Sequence, residues 1–181
     1  MGKDPTYRFL DEMAGRSCLL AWFESLKKKR GDRARLRRAE SPDDVLLSEP
    51  FFNFLQRMPA SWAEEKNMLQ SAMVAAVLAH VEEHRDGKSF AQQLAAPKKV
   101  GEKPAMSELR FQQLQKSHDT GEFFRRLLGA VRLSGKSVNI LSLADSILHW
   151  MNEYKNGVDR KPGKRIAVCW ASDYYLALPK S

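Results

Sequence analysis

Apolar residues recur along this chain every three or four positions, which is the spacing of a helix that buries one face. Two stretches show it most clearly, one with Met68, Leu69, Met73, Val77 and Val81 and another with Ile140, Ala144, Ile147, Leu148 and Met151. Strand-like alternation of apolar and polar residues does not occur. The pattern predicts an all-α fold, with helices near residues 6–14, 17–30, 32–39, 43–57, 61–85, 89–95, 106–117, 120–134, 139–155 and 164–178.

Residues typical of helix ends fall where this pattern begins and stops. Ser41-Pro42-Asp43-Asp44 combines a cap, a proline at the first helical position and acids in the first turn. The spacings Ser61-x-x-Glu64 and Asp119-x-x-Glu122 are typical of capping boxes. Glycines that suit a left-handed residue after a helix follow four of the stretches, at positions 31, 87, 135 and 157.

One segment breaks the helical pattern near the middle of the chain. Residues 97–105 contain Pro97, Gly101 and Pro104 together with several lysines, and they lack apolar periodicity. This composition is typical of a linker. The sequence therefore predicts two small helical bundles, residues 1–96 and residues 106–181, joined by a Pro/Lys-rich linker.

Charge points to a polyanionic partner. The 30 Lys and Arg residues outnumber the 22 Asp and Glu residues, which gives a formal charge of +8 and a pI near 9.6. Eight of the basic residues lie within residues 27–38, and a second excess lies between residues 155 and 165. Such clustering favours a directed positive field, of the kind that attracts nucleic acid, over charge kept for solubility.

Catalytic patterns are weak in this sequence. His80-Val81-Glu82-Glu83-His84 matches a zinc peptidase string, but no third acidic ligand follows it at a suitable place. A phosphate-binding glycine loop, a nucleophile elbow and a C-x-x-C pair are all missing from the sequence. We therefore expect no enzyme activity, no metal and no cofactor, and a zinc hydrolase at His80 and His84 is the last-ranked alternative.

The remaining compositional signals concern location. The N-terminus lacks the apolar run of a signal peptide, and the longest apolar run, residues 72–79, is too short to span a bilayer. Cys18 and Cys169 both lie in apolar helical surroundings, which favours buried free thiols. These features predict a cytoplasmic protein that does not enter a membrane.

Arginines on the solvent side of the predicted helices supply a candidate binding surface. Arg125, Arg126 and Arg132 fall outside the apolar arc of the helix near residues 120–134, and Arg110 is placed similarly on the helix before it. A second group, Arg33, Arg35, Arg37 and Arg38, lies in a short segment with few apolar residues. Guanidinium groups suit phosphate because they bind it through two parallel hydrogen bonds.

Base reading is not expected. The helix that would enter a DNA groove, after Gly135, is predicted to expose Ser142, Asp145, Ser146 and His149. Asp145 would face phosphates with the wrong sign of charge. Contact with the backbone alone therefore fits the sequence better than recognition of bases.

Five segments of the chain form an ordered set: residues 35–44 (RLRRAESPDD), 107–114 (SELRFQQL), 124–128 (FRRLL), the helix from Asn139 to Trp150, and 170–175 (WASDYY). This set resembles CasB, the small subunit of the type I-E CRISPR Cascade complex. The order of the segments carries the resemblance, and no single motif does. The resemblance runs from about residue 15 to residue 177, whereas the linker lysines and the first dozen residues match nothing in it.

This resemblance implies a non-catalytic, all-helical subunit that binds nucleic acid. Two copies would stack along a crRNA-guided surveillance complex, contact its backbone and large subunits, and support the guide and the displaced strand of the target DNA. Base pairing would then read the sequence. The positions that the resemblance implies as nucleic-acid contacts are Arg37, Arg38, Arg110, Arg125, Arg126, Lys164 and Arg165, while residues 27–30 cannot be matched individually.

A free-standing, sequence-indifferent DNA-binding or regulatory helical protein is the main alternative. The two functions differ in their partners, because a Cascade subunit should purify with other Cas proteins and with a discrete crRNA.

Overall fold

A computed structural model describes residues 4–180, and α-helices account for most of them. Residues 1–3 and 181, at the outer ends of the two predicted bundles, lie outside the described residues. Within the described part, no helix is long and apolar enough to cross a membrane. The helices are α1 (Arg8–Glu12), α2 (Arg16–Lys28), α3 (Arg30–Arg37), α4 (Pro42–Val45), α5 (Glu49–Arg57), α6 (Met68–Leu78), α7 (Phe90–Ala95), α8 (Glu108–Gln115), α9 (Thr120–Leu133), α10 (Ile140–Asn156) and α11 (Ile166–Ala177).

In place of the single helix predicted over residues 43–57, the chain forms two helices, α4 and α5. Ser48 adopts an extended backbone, and Pro50 stands in the first turn of α5, where its missing N–H costs nothing. The predicted helix start at Ser41 is confirmed, because Asp44 accepts hydrogen bonds from the backbone N–H groups of Glu40 and Ser41 at 3.0 Å. The cap at Asp119 is confirmed as well, since its carboxylate accepts from the N–H of Glu122 at 2.8 Å.

The predicted helix over 61–85 is wrong at both ends. Two short 3₁₀ turns, Ala60–Ala63 and Glu65–Asn67, precede α6, so the capping box expected at Ser61 does not start an α-helix. The chain after α6 turns and becomes extended. Its strand β1 (Glu83–His84) pairs in parallel with β2 (Ser137–Val138), with Glu83 opposite Ser137.

This pairing corrects the expectation of a purely helical chain. The N–H groups of Glu82 and Glu83 donate to the carbonyl of Lys136, and the N–H of Arg85 donates to the carbonyl of Val138. Strands of two residues leave no alternation in the sequence, and their partner lies about fifty residues away. The pairing therefore depends on tertiary packing and not on local propensity.

The core is centred on α6, whose residues from Gln70 to Leu78 are all buried. α3, α4, α5, α9 and α10 pack around it, and α11 packs on α7. One hydrophobic cluster accordingly includes residues from both sides of residues 97–105. The mainly helical fold is confirmed, whereas the division into two bundles is not confirmed and stays a prediction.

Residues 97–105 form a short excursion from this core. Pro97 and Pro104 lie opposite each other in an isolated antiparallel bridge, and Lys98 and Lys99 are exposed. The N–H of Met106 donates to the carbonyl of Leu94 at 3.0 Å, which brings the two ends of the segment together. The predicted linker is therefore a loop that returns to its starting point.

The buried side chain of Asn139 joins three parts of the fold at the start of α10. The residue is completely inaccessible to solvent, yet its backbone and side chain make a full set of hydrogen bonds. Its Oδ1 caps α10 in the usual manner of an N-cap asparagine. The partners are the N–H groups of Leu141 and Ser142, the hydroxyl of Tyr7, the carbonyl of Lys88, and the side chain of Gln93, which accepts from the Asn139 N–H.

Three helices cover the face of α10 that the sequence predicted to be exposed. Ser142 and Ser146 are buried, and their hydroxyls accept hydrogen bonds from α7 and α11. On the side of α1, the Oδ1 of Asp145 accepts a hydrogen bond from the N–H of Leu10 at 2.9 Å, and the ring of Phe9 stacks on His149 with centroids 4.3 Å apart. The correction follows from where α1, α7 and α11 dock, of which their short patterns gave no sign.

We expect Asn139→Ala to lower the free energy of unfolding by roughly 2–4 kcal/mol, because it removes a cap and leaves buried groups unpaired. Urea denaturation with an unchanged m-value measures this loss. Asn156→Ala, an exposed position near the end of the same helix, serves as the matched control and should stay within about 0.5 kcal/mol. A loss for Asn139→Ala no larger than that of the control would contradict the role assigned to the buried amide.

A pH-dependent stability is expected from Asp145. Burial raises the pKa of its carboxyl from 3.8 to about 6, although hydrogen bonds from Leu10 and Phe9 oppose the shift. The stabilisation from the protonated form is complete below about pH 4 and is lost as the pH rises through 6. Asp145→Asn should therefore be more stable than the unmodified protein at pH 8, by on the order of 1–3 kcal/mol. The difference should shrink towards pH 4 in urea denaturation, and a gap independent of pH would refute the assignment.

Candidate nucleic-acid interface

Arg33 fixes the basic helix α3 against the end of α6. Its Nε donates to the carbonyl of Ala79 at 3.0 Å, and its Nη2 donates to the carbonyl of Val81 at 2.8 Å. Carbonyls at the end of a helix lack partners within the helix, and a guanidinium satisfies two of them here. The pKa of Arg33 is lowered, mainly by burial and then by the charge of Arg37. Arg33 is therefore a structural clamp, and Arg37 lies one turn further along α3.

Four cations act electrostatically on His80, in the turn after α6: Arg33 and Arg37 from α3, Arg132 from α9, and Lys136. Burial is the main cause that lowers the pKa of His80 to about 4, and the positive charges of Arg37, Arg132 and Lys136 lower it further. The imidazole is thus neutral at physiological pH, and its Nε2 is buried with no hydrogen-bond partner in the described part of the chain. Glu82 offsets part of this charge, because its exposed carboxylate pairs with Lys136 at 3.0 Å.

A cleft between α8 and α9 extends the positive surface. Its volume is about 410 Å³, and its walls are Met106, Arg110, Gln113, Arg126, Gly129, Arg132 and Leu133. Arg110 and Arg132 are exposed and come from the two opposing helices. Arg132 belongs both to this cleft and to the cations whose charges lower the pKa of His80. We call Arg37, Lys136, Arg132 and Arg110 the basic track.

The three arginines of this track lack an anionic partner in the described part of the chain, and so do the neighbouring Arg38 and Arg125. Across residues 4–180, no carboxylate lies within 4.0 Å of the guanidinium groups of Arg37, Arg38, Arg110, Arg125 or Arg132. In contrast, Arg8, Arg16 and Arg35 each pair with a carboxylate at 2.8–3.1 Å. Unpaired guanidinium groups on one surface create a field that attracts phosphate.

Two of the predicted contact residues hold local structure. Arg126 pairs with Glu122 and donates from Nη1 to the carbonyl of Gln113, so that it joins α9 to α8 with its side chain only 31% exposed. The helical pattern placed it on the solvent face, but α8 covers that position. Arg165 is half-buried, and its Nε donates to the carbonyl of Asp159 at 2.8 Å.

Lys164 lies in a different cleft, of about 790 Å³, formed by the N-terminal segment, α7, α10 and α11. Three of the acidic and histidine side chains in this cleft are already used in holding the fold. Asp145 accepts from Leu10, Asp173 accepts from the hydroxyl of Ser89 at 2.6 Å, and His149 contacts Glu153 at 3.1 Å. The structure thus does not bring Lys164 together with the basic track.

The His80–His84 string does not form the helical arrangement that a zinc peptidase needs. α6 ends before His80, and His84 lies in β1, where its Nδ1 accepts from the N–H of Ile140 at 3.2 Å. In the part of the chain that the structure describes, no group of three His, Cys, Asp or Glu side chains is placed to hold a metal. Cys18 and Cys169 are free thiols. Both were predicted to be buried, whereas the structure leaves both half-buried.

Sequence reasoning did not select Lys136 or Gly129. Lys136 adopts a left-handed backbone, with φ of 60° directly after Gly135, in the turn that leads into β2. Its position follows from the pairing of β1 and β2, which the sequence did not reveal. The sequence did offer one signal for Gly129. A glycine at the centre of the solvent-facing side of a predicted helix, with arginines three or four positions away, is unusual.

Comparison with known proteins identifies the relationship of this chain. The family model of the CRISPR-associated protein Cse2 matches residues 32–175, which is well over half of the chain. This match confirms the resemblance to the small subunit of type I-E Cascade that the sequence segments indicated. None of the curated proteins matches the chain.

Proposed function

The chain belongs to the Cse2 family, which indicates a structural subunit of a CRISPR Cascade complex, and from that membership we propose that its task is to hold nucleic-acid backbones. The ligands are the crRNA guide and the displaced strand of the target DNA. The other partners are the backbone and large subunits of the complex and a second copy of the chain. Holding these strands stabilises the R-loop.

The observation that carries this proposal is the basic track, whose three arginines have no carboxylate partner among the described residues, while Lys136 pairs with Glu82. Phosphates that replace the counterions of such a surface release salt, so affinity arises without base contacts. Sequence indifference is also supported by α10, whose predicted groove-facing side is packed against α1, α7 and α11. Base pairing with the guide then supplies the specificity.

Small contributions are sufficient for this task. The RNA–DNA heteroduplex that forms in an R-loop is about as stable as the DNA duplex that it replaces, so contacts with the displaced strand decide the balance. Each phosphate contact is expected to contribute on the order of 1 kcal/mol. Several cations in one track, present in two stacked copies, would shift the equilibrium by a hundredfold or more.

The isolated protein tests the binding surface first. Binding to single-stranded DNA should weaken with salt at a log–log slope of roughly −3 to −4, for about four to six phosphate contacts. Arg37→Ala combined with Arg132→Ala should weaken binding about 10- to 30-fold and make the slope shallower by about 1.4. Lys98→Ala with Lys99→Ala removes the same charge from an exposed loop outside the track and is the control. Equal losses in the two double variants, or a flat salt response, would contradict the proposal.

The assembled complex tests the role in the R-loop. Arg37→Ala with Arg38→Ala, and Arg110→Ala with Arg125→Ala, should leave the fold and the crRNA content near normal, because all four side chains are exposed. Strand-resolved footprinting should then report lower protection of the displaced strand. Unchanged protection would exclude these arginines from that role. Failure of the complex to assemble would instead identify them as subunit contacts, and purification without Cas proteins or crRNA would favour a free-standing DNA-binding protein.

A further inference from the structure

Gly129 has no packing reason to be a glycine. It lies inside α9, where glycine destabilises a helix by about 1 kcal/mol relative to alanine. A Cβ at this position would meet no atom within 4 Å, so the fold would accept a side chain there. Its Cα forms part of the wall of the cleft between α8 and α9. The absence of a side chain keeps that cleft open.

Guanidinium groups surround this bare stretch of helix. Arg125, Arg126 and Arg132 lie three or four positions from Gly129 and thus on the same side of α9. Arg110 faces them from α8. Two of these groups, Arg110 and Arg132, line the cleft without a carboxylate partner among the described residues, whereas Arg126 is held in place by Glu122 and Gln113.

The walls of the cleft differ from a simple phosphate site. Met106 and Leu133 provide apolar surface beside the backbone of Gly129, and Gln113 adds an amide. Phosphate alone would need only the charged rim. An apolar wall beside an immobilised guanidinium matches the face of an unstacked base, which packs against apolar groups and arginine planes. The volume of about 410 Å³ lies within the range of small-molecule sites.

We propose that this cleft admits the base of one unstacked nucleotide, while Arg110 and Arg132 bind its flanking phosphates. The inference rests on the proposed function and adds to it a subsite that fixes the position of one nucleotide on the basic track. The contact is made with the face of the base, so it requires no particular sequence. Single-stranded DNA and RNA carry the same chemistry, and the experiment distinguishes them.

The test fills the cleft without removing charge. Gly129→Leu adds a side chain where no protein atom lies within 4 Å, and Gly129→Ala adds the smallest filler. Gly121→Ala is the matched control, because it removes a glycine from the same helix outside the residues that line the cleft. Dissociation constants are measured for a 12-nucleotide DNA, the same RNA, and a DNA in which abasic spacers keep every phosphate.

Gly129→Leu should weaken binding of the natural oligonucleotide about 5- to 150-fold, the range expected for loss of one packed base. Its salt slope should stay unchanged, and its affinity for the abasic DNA should equal that of the unmodified protein. Gly129→Ala should raise the melting temperature and give a smaller loss of affinity for the natural oligonucleotide. This variant keeps the proposal testable if Gly129→Leu folds poorly. The larger effect, with DNA or with RNA, identifies the strand that the cleft takes.

The proposal is overturned if Gly129→Leu binds the natural oligonucleotide as tightly as the unmodified protein does. An equal loss for natural and abasic DNA would overturn it too, because the added side chain would then disturb only phosphate contacts. Both results leave salt-dependent binding intact and spare the proposed function. If the unmodified protein binds neither oligonucleotide, the proposed function fails, and the subsite fails with it.

Discussion

The buried amide of Asn139 is the interaction on which the arrangement of this protein depends. It caps α10, donates to Tyr7 ahead of α1 and to Lys88 ahead of α7, and directly follows β2. Because β2 pairs with β1, the same junction fixes the turn that holds His80 and the turn that holds Lys136. Cations that are far apart in the sequence meet at one surface for this reason. A polar group without solvent access thus determines the geometry of an exposed charged surface.

That surface combines like charges, which repel one another in the absence of a ligand. The structure limits this cost in two ways. Arg33 donates to the carbonyls of Ala79 and Val81 at the end of α6, and burial keeps His80 neutral among its cationic neighbours. The remaining charge faces solvent, where counterions screen it until a polyanion replaces them. A surface held in this way by the fold favours phosphate binding without prior rearrangement of its elements.

Local signals in the sequence predicted most helices, because periodicity and caps such as Asp119 act over a few residues. They failed where a distant partner decides the structure. The turn at His80 and the strand at Glu83 form only because β2 lies beside them, and Asp145 is covered only because α1 docks on α10. For the candidate site, the pattern found Arg37 and Arg110 but misjudged Arg126, since no helical pattern reveals that a neighbouring helix supplies a carbonyl acceptor. Whether the predicted residues bind nucleic acid stays a prediction.

Photochemical cross-linking of the assembled complex to its target DNA, with mass spectrometry of the linked peptides, tests the central claim most directly. The account predicts that the displaced strand links to peptides from the end of α3, from α8 and from α9 with the following turn. It also predicts fewer links at the start of α11, because Lys164 lies in a separate cleft. Links confined to the start of α11, or to other subunits alone, would contradict the basic track as the surface that holds nucleic acid.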